Sequence, residues 1–202
     1  MPVVRRQYAQ GLFVAWGMEN GQFSAKPLAQ EAARAGFRWL ALQVEGNGRH
    51  FDAVRRACES EGVAFGLWEA EPSVGSGAGH VERAQASFYI AQAEAPQDWE
   101  GITHEFRLRY PALPAAVVTN FGGIEEPATC VPLLDARFAC LTECYIGQNP
   151  FATPERQDFE ARRRGWKSSQ PVLGLYNGIT YDDYTLDGLL GWSVWLAEFL
   201  FR

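Results

Sequence analysis

The sequence predicts an α/β fold, a compact (β/α)8 barrel of the TIM-barrel class. Short apolar runs rich in β-branched and aromatic residues recur along the chain, and most are followed by an amphipathic stretch of helical period. No break in composition divides the chain, so residues 1–202 are expected to form a single domain. Eight such runs in one undivided chain favour a closed barrel over an open doubly wound sheet.

The length of the chain limits the size of the predicted helices. With 202 residues, it lies at the lower limit of roughly 200 residues for this fold. Several helices must therefore be short or missing, and none is expected after the eighth strand. The chain is 47% hydrophobic and 21% charged, so it can bury a full core without disulfides or a structural metal.

The predicted elements alternate along the chain. The strands are expected at residues 12–16, 37–45, 63–69, 88–94, 115–120, 140–146, 172–177 and 192–198. The helices are expected at residues 27–35, 51–61, 80–86, 97–110, 131–137 and 154–167. Gly36 and Gly62 suit left-handed helix caps, and Thr153 before Pro154 is a typical helix start. The Gly/Ser segment 73–79 is expected to form a mobile lip over the barrel mouth.

Charge and composition exclude some classes of binding partner and indicate where in the cell or virion the protein is found. The formal net charge of -6 does not indicate the basic surface that binding to nucleic acid or an anionic membrane requires. The sequence shows no apolar run of about 20 residues and no signal-peptide core, which predicts a protein of the cytoplasm or of a phage virion. The cysteines and histidines form no zinc pattern, so buried free thiols, no metal and no cofactor are expected. A Mg²⁺ or Ca²⁺ site made of carboxylates remains an alternative without a spacing signature.

Polar side chains gather at the carboxyl ends of the second, third, fourth and sixth predicted strands. They are Gln43, Glu45, Glu69, Glu71, Gln92, Glu94 and Glu143. In a barrel those ends face one mouth, and because side chains alternate along a strand, residues two apart point to the same side. Carboxylates held together shift one another's pKa values apart, as an acid and its base or nucleophile require. The alternative is that some of these glutamates, Glu71 above all, cap the following helix.

Aromatic residues occur at the same strand ends. They are Trp16, Trp68, Tyr145, Tyr176 and Trp195. Flat rings with a polar tip suit the apolar faces of sugars, so acids beside aromatics predict a carbohydrate cleft. Trp68 and Trp195 fit core packing equally well.

Residues 63–120 carry a resemblance to a known family. The runs VAFGLW (63–68), YIAQAE (89–94) and AVVTN (116–120), with the helices between them, resemble the barrel-shaped N-acetylmuramidase lysins of bacteria and phages. That resemblance implies degradation of peptidoglycan glycan chains and a catalytic acid at Glu94, which matches the Glu of the family's D-x-E motif. This chain departs from the family at Gln92, which is an amide in place of the companion acid. It also has Ala15-Trp16-Gly17 where the family's first strand carries an Asp.

These features predict a glycoside-hydrolase-like barrel that acts on a polysaccharide or cell-wall glycan. Glu94 is expected to be the general acid, with Glu143 or Glu71 as the second carboxylate. The expected substrate-binding residues are Glu45, Glu69, Gln92, Trp16, Trp68, Tyr145, Tyr176 and Trp195.

The alternative function is a non-catalytic carbohydrate-binding or structural component of a phage virion or tail. It is favoured by the missing partner acids and by an apolar C-terminus. Trp195, Leu196, Phe199, Leu200 and Phe201 are expected to need cover from the first strand or from another subunit in an oligomer or larger assembly.

Overall fold

The structure, a computed structural model, describes residues 9–14, 24–121, 124–174, 183–184 and 192–195. Within these residues, eight parallel strands form a barrel that closes by pairing of the last strand with the first. The strands are β1 Ala9–Val14, β2 Trp39–Gln43, β3 Ala64–Glu69, β4 Tyr89–Gln92, β5 Ala115–Thr119, β6 Ala139–Cys144, β7 Ser169–Gly174 and β8 Trp192–Trp195. The predicted α/β barrel is confirmed.

Six helices lie between the strands in the described part of the chain. They are α1 Ala25–Arg34, α2 Phe51–Ser60, α3 Ser76–Ala84, α4 Trp99–Arg109, α5 Pro127–Asp135 and α6 Pro154–Arg163. Each has only 9 to 11 residues, as the length of the chain requires. The expectation that no helix follows β8 falls on residues 196–202, outside the described residues.

Local signals explain several of the helix ends. Gly36 and Gly62 have φ angles of 84° and 70°, the left-handed conformation that glycine adopts without a steric penalty. The Thr153 hydroxyl accepts a hydrogen bond from the Arg156 N–H at 3.3 Å and caps α6 as predicted.

The bounds of several elements, among them β1, β7 and α6, differ by a few residues from the sequence prediction, and two differences have a clear local cause. Residues 76–79, expected in a mobile lip, form the first turn of α3. A backbone hydrogen bond from Gly79 to Gly75 and the Ser73–Ser76 hydrogen bonds stabilise this start. The helix predicted at 131–137 instead begins at Pro127, because proline is well suited to a first helical position and lacks the N–H that would be unpaired there.

The barrel has an apolar interior and a larger apolar layer between the strands and the helices. The interior cluster consists of Phe13, Ala41, Trp68, Ile90, Ala116, Val118, Leu141 and Val172. The outer layer takes the alternate strand residues, such as Leu40, Tyr89 and Val117, together with the buried faces of the helices. This separation fixes which side of the barrel each strand residue faces.

The strand register places three polar residues on one level at the carboxyl end of the barrel. Gln43 pairs with Trp68, Trp68 with Ile90, Gln92 with Val118, and Val118 with Leu141. An eight-stranded barrel of this class staggers by about one residue per strand. Gln43, Gln92 and Glu143 therefore lie in one inward-facing tier supplied by even-numbered strands. We call these three residues the polar tier.

All four cysteines are buried and unpaired with one another, as predicted. Burial raises the pKa of Cys58 to about 12 and also raises the pKa of Cys130, Cys140 and Cys144. These thiols therefore contribute packing and not nucleophilic chemistry. No helix in the described ranges has the length and apolar character needed to cross a membrane.

Candidate active site

Glu143 lies inside the barrel on β6 at the mouth formed by the carboxyl ends of the strands. It has the same inward phase as Leu141, and its residue is only 2% exposed. Loss of hydration on burial raises the pKa of Glu143 well above its ordinary value, and the neighbouring Glu94 carboxylate raises it further. The Tyr145 hydroxyl acts in the opposite direction. Glu143 therefore holds its proton in a range where an ordinary glutamate is ionised.

Glu94 stands beside Glu143 in a different environment. It follows β4 by two residues, continues the inward phase of Gln92 and is exposed to solvent. Within the described residues, neither oxygen of Glu143 has a hydrogen bond of normal geometry. Glu94 and Tyr145 nevertheless lie close enough to Glu143 to shift the pKa of its carboxyl group. The mouth holds one buried, protonated carboxyl group and one solvent-open carboxyl group.

The floor beneath this pair is aromatic and amide in character. Trp68 is 2% exposed and packs edge-on against Phe13, with ring centroids 6.1 Å apart. Gln43 is equally buried, and its Oε1 atom has no hydrogen-bond partner among the described residues. Gln92 on β4 is half-buried. The floor thus holds one buried amide oxygen without a partner among the described residues, a group suited to a ligand that supplies a donor.

Glu45 has a clear structural role at the rim. Its Oε1 atom accepts hydrogen bonds from the backbone N–H groups of Ala70 and Glu71 at 3.0 and 3.3 Å. These bonds attach the chain after β2 to the chain after β3. Glu71 itself directs its side chain to solvent beyond β3.

Glu69 faces away from the mouth, on the outer side of β3. Because Trp68 points inward, alternation directs Glu69 into the layer beneath α3, where it is 3% exposed. There it accepts a 2.5 Å hydrogen bond from the Tyr89 hydroxyl, and its Oε1 atom lies 3.4 Å from His80 Nδ1. Burial raises the pKa of Glu69, while Tyr89, Ser76 and His80 act to lower it. Glu69 and Glu71 therefore lie apart from the Glu94–Glu143 pair.

The Glu69–Tyr89 contact depends on a glycine in α3, which gives a first prediction. A Cβ atom on Gly77 would lie 2.5 Å from the Tyr89 ring and 2.7 Å from its hydroxyl, whereas one on Gly79 would meet nothing within 4 Å. We expect Gly77→Ala to lower the free energy of unfolding by about 1–3 kcal/mol, because the buried ring must move. Gly79→Ala should raise it by about 0.5–1 kcal/mol through helix propensity. Urea denaturation measures both, and equal effects would contradict this packing.

The structure describes the remaining aromatic candidates to different extents. Tyr145 lies at the mouth next to Glu143. Trp195 is described only as a β8 residue that pairs with Phe13 and Gly174. Trp16 and Tyr176 lie outside the described residues, as do the apolar positions of the C-terminus after Trp195.

Sequence reasoning missed the partners of Glu69 and one cavity at the rim. His80, Ser76 and Tyr89 were not recognised as a group, although the inward position of Trp68 already implied an outward Glu69. The rim cavity of about 380 Å³ involves Phe151 and Gln157, two loop and helix residues that carry no sequence pattern. A larger groove of about 880 Å³ runs between α4 and α5 on the outer surface, away from the mouth acids. In the described portion of the chain, no three His, Cys, Asp or Glu residues are grouped to hold a metal ion.

Comparisons with known proteins support the fold. No protein-family model matches the sequence, and no curated protein matches it. The structure is similar to the YdjI aldolase of Escherichia coli K12, with a TM-score of 0.59 at 15% identity over 95% of this chain and 76% of that chain. It is also similar to the catalytic domain of a hyperthermophilic chitinase from Pyrococcus furiosus, with a TM-score of 0.56 at 10% identity over 92% and 76% of the two chains.

A third similar structure is a candidate mandelate racemase/muconate lactonizing enzyme from Sorangium cellulosum. Its TM-score is 0.50 at 15% identity, and the match covers 82% of this chain but only 46% of that chain. At these identities the likeness shows the TIM-barrel fold alone.

Proposed function

We propose that this protein is a glycoside hydrolase that cleaves a polysaccharide, in particular a cell-wall glycan. The observation that carries the proposal is the pair at the mouth, a buried Glu143 with a raised pKa beside the solvent-open Glu94. Glutamate or aspartate side chains with strongly shifted pKa values are typical of catalytic sites, and in TIM barrels those sites lie at the C-terminal ends of the strands. The resemblance to N-acetylmuramidase lysins makes peptidoglycan the first substrate to test.

The environments of the two carboxyl groups favour roles that differ from the sequence expectation. Glu143 retains its proton and is proposed as the general acid, and the solvent-open Glu94 is proposed as the nucleophile or general base. When the glycosidic C–O bond breaks, the leaving oxygen takes the proton of Glu143. The anomeric carbon then gains either an oxygen of Glu94 or a water molecule whose proton passes to Glu94. In the first route, water then cleaves the glycosyl ester on Glu94 and gives a proton back to Glu143. The anomeric form of the first product distinguishes these two routes.

Hydrolysis of defined glycans tests the proposal. The wild-type protein should release new reducing ends from at least one of peptidoglycan, chitin and cellulose, and the Glu94→Gln/Glu143→Gln double variant should release none. If the wild-type protein releases no reducing ends from any of the three, the proposed hydrolase function is wrong.

A second candidate function is non-catalytic binding of surface glycans within a phage virion or a larger assembly. The amides of the polar tier favour it, because Gln92 takes the place of an acid and the buried Gln43 oxygen has no partner among the described residues. Saturable binding of peptidoglycan without release of reducing ends would support this function.

A further inference from the structure

A cavity lies at the same end of the barrel as the Glu94–Glu143 pair, behind the chain that follows two of the strands. It measures about 380 Å³ and lies between the chain that follows β5 and the chain that joins β6 to α6. Asn120, directly after β5, and Asn149, after β6, line it. The N–H of Asn149 donates to the carbonyl oxygen of Tyr145 at 2.9 Å, so the loop that lines this cavity starts at a residue that adjoins Glu143.

An unsatisfied amide lines the cavity. Gln157 is 8% exposed, and its Oε1 atom has no hydrogen-bond partner within the described ranges. A buried polar atom without a partner is costly, so this position is suited to a ligand that supplies one. A hydroxyl group both donates and accepts, and would therefore satisfy the side-chain amide in either orientation.

An exposed aromatic ring stands over the same cavity. Phe151 is 80% exposed and belongs to the cavity lining. Its backbone N–H donates to Asn149 Oδ1 at 3.0 Å, which fixes the turn that presents the ring. An apolar ring held open to solvent beside polar groups is suited to stacking against the apolar face of a sugar.

The charges of the cavity balance, and three of the four are engaged with one another. Arg156 and Arg164 oppose Glu125 and Glu160 in the lining. Glu160 accepts from Arg164 Nη1 at 2.7 Å and lies 3.3 Å from Arg156 Nη2. Arg164 also lies over the Phe121 ring, 4.3 Å from its centroid. An anionic ligand would compete with Glu160 for both arginines, so the cavity favours an uncharged, hydroxyl-rich ligand.

We propose that this cavity is a sugar-binding subsite that extends the mouth along the glycan chain, with Phe151 stacking on one sugar ring and Gln157 hydrogen-bonding one of its hydroxyl groups. The proposal deepens the proposed function and rests on it for the identity of the ligand. It predicts that the affinity for a glycan depends on Phe151 and Gln157 as well as on the two carboxyl groups.

Calorimetric titration of the full chain tests the subsite. The Glu143→Gln protein serves as the parent, so that the ligand stays uncut, and the probes are chitohexaose, cellohexaose and soluble peptidoglycan glycan strands. We expect Phe151→Ala to weaken binding of the bound probe by about tenfold and Gln157→Leu by about fivefold. Phe159→Ala is the matched control, because Phe159 is 56% exposed on α6 and does not belong to the cavity lining. It should bind as the parent does.

The outcomes separate the subsite from the proposed chemistry. The subsite is wrong if Phe151→Ala binds as tightly as the parent, if Phe159→Ala weakens binding equally, or if the parent binds no probe. If the wild-type protein cuts no glycan while the parent binds in a Phe151-dependent way, the subsite stands and the hydrolase function fails. If the wild-type protein cuts glycans and Phe151→Ala leaves the binding affinity unchanged, the hydrolase function stands and the subsite fails. The thermal unfolding midpoint of each variant checks that Gln157→Leu folds.

Discussion

Glu143→Gln is expected to abolish turnover and at the same time to stabilise the protein at neutral pH. An amide cannot donate the proton that the leaving oxygen needs, and a positioned general acid contributes about 10²–10⁴-fold to the rate. The same substitution replaces a buried carboxyl group, whose charged form is disfavoured by burial and by the neighbouring Glu94, with a neutral amide. Activity and stability should therefore change in opposite directions, which a purely structural role for Glu143 does not predict.

The pH dependence of the stability difference follows from the raised pKa of Glu143. The contribution of the protonated group to stability is fully present below the unfolded-state pKa of about 4.3 and is lost as the pH rises through the folded-state pKa. Glutamine does not titrate. The advantage of Glu143→Gln should therefore be small near pH 4 and grow toward neutral pH, with about 2–4 °C in Tm for each kcal/mol.

Thermal denaturation at several pH values, combined with the reducing-end assay, measures both effects. Glu82→Gln is the control, because the Glu82 side chain is 73% exposed and its nearest cation, Arg109 Nη1, lies 3.7 Å away. It should leave both activity and the pH dependence of Tm unchanged. A Glu143→Gln protein that still cuts glycans, or whose Tm difference from wild type is the same at every pH, would contradict the proposed role.

Arg107→Met is expected to cause a large loss in the free energy of unfolding. The Arg107 guanidinium donates to the carbonyl oxygens of Ala136 at 2.6 Å, Tyr110 at 3.1 Å and Leu113 at 2.7 Å. It also lies 5.1 Å from the centroid of the Phe138 ring. One side chain thus satisfies the carbonyl groups at the ends of α4 and α5 and of the chain entering β5.

Methionine keeps the apolar stem of Arg107 but leaves those carbonyl groups without their donor. We expect a loss of about 2–4 kcal/mol in the free energy of unfolding, measured by urea denaturation. Arg109→Met is the matched control two residues along α4, since the Arg109 side chain is 51% exposed and its ion pair with Glu82 is a loose one of 3.7 Å. It should change stability by less than about 0.5 kcal/mol. Equal losses in the two variants would show that the hydrogen bonds of Arg107 do not matter.

The fold was more accessible to sequence reasoning than the site. The hydrophobic periods that distinguish strands from helices depend only on local residue patterns. Gly36 and Gly62 also lie at the helix ends where the sequence predicts them. Residues 76–79 were misjudged because glycine and serine are typical of loops, whereas here Gly77 is needed for close packing against Tyr89.

The candidate site depends on contacts that no local pattern encodes. The spacing of acids placed Glu94 and Glu143 at one mouth, but which of them keeps its proton follows from burial, a property of the folded barrel. Glu69 was grouped with them because its strand end is equally acidic. Its outward direction follows only once the inward position of Trp68 is known. Phe151 lies in a loop and Gln157 in a helix, and both line the same cavity. The sequence alone gave no reason to connect them.

The polar tier has a consequence for how such a barrel can change during evolution. Gln43, Gln92 and Glu143 rest on apolar side chains from the neighbouring strands, including Trp68 and Val118. Exchange of a tier residue therefore alters the reactivity of the mouth while the packing below stays intact. A scaffold of this kind permits new chemistry to arise through substitutions in the tier alone, without a redesign of the framework that carries them.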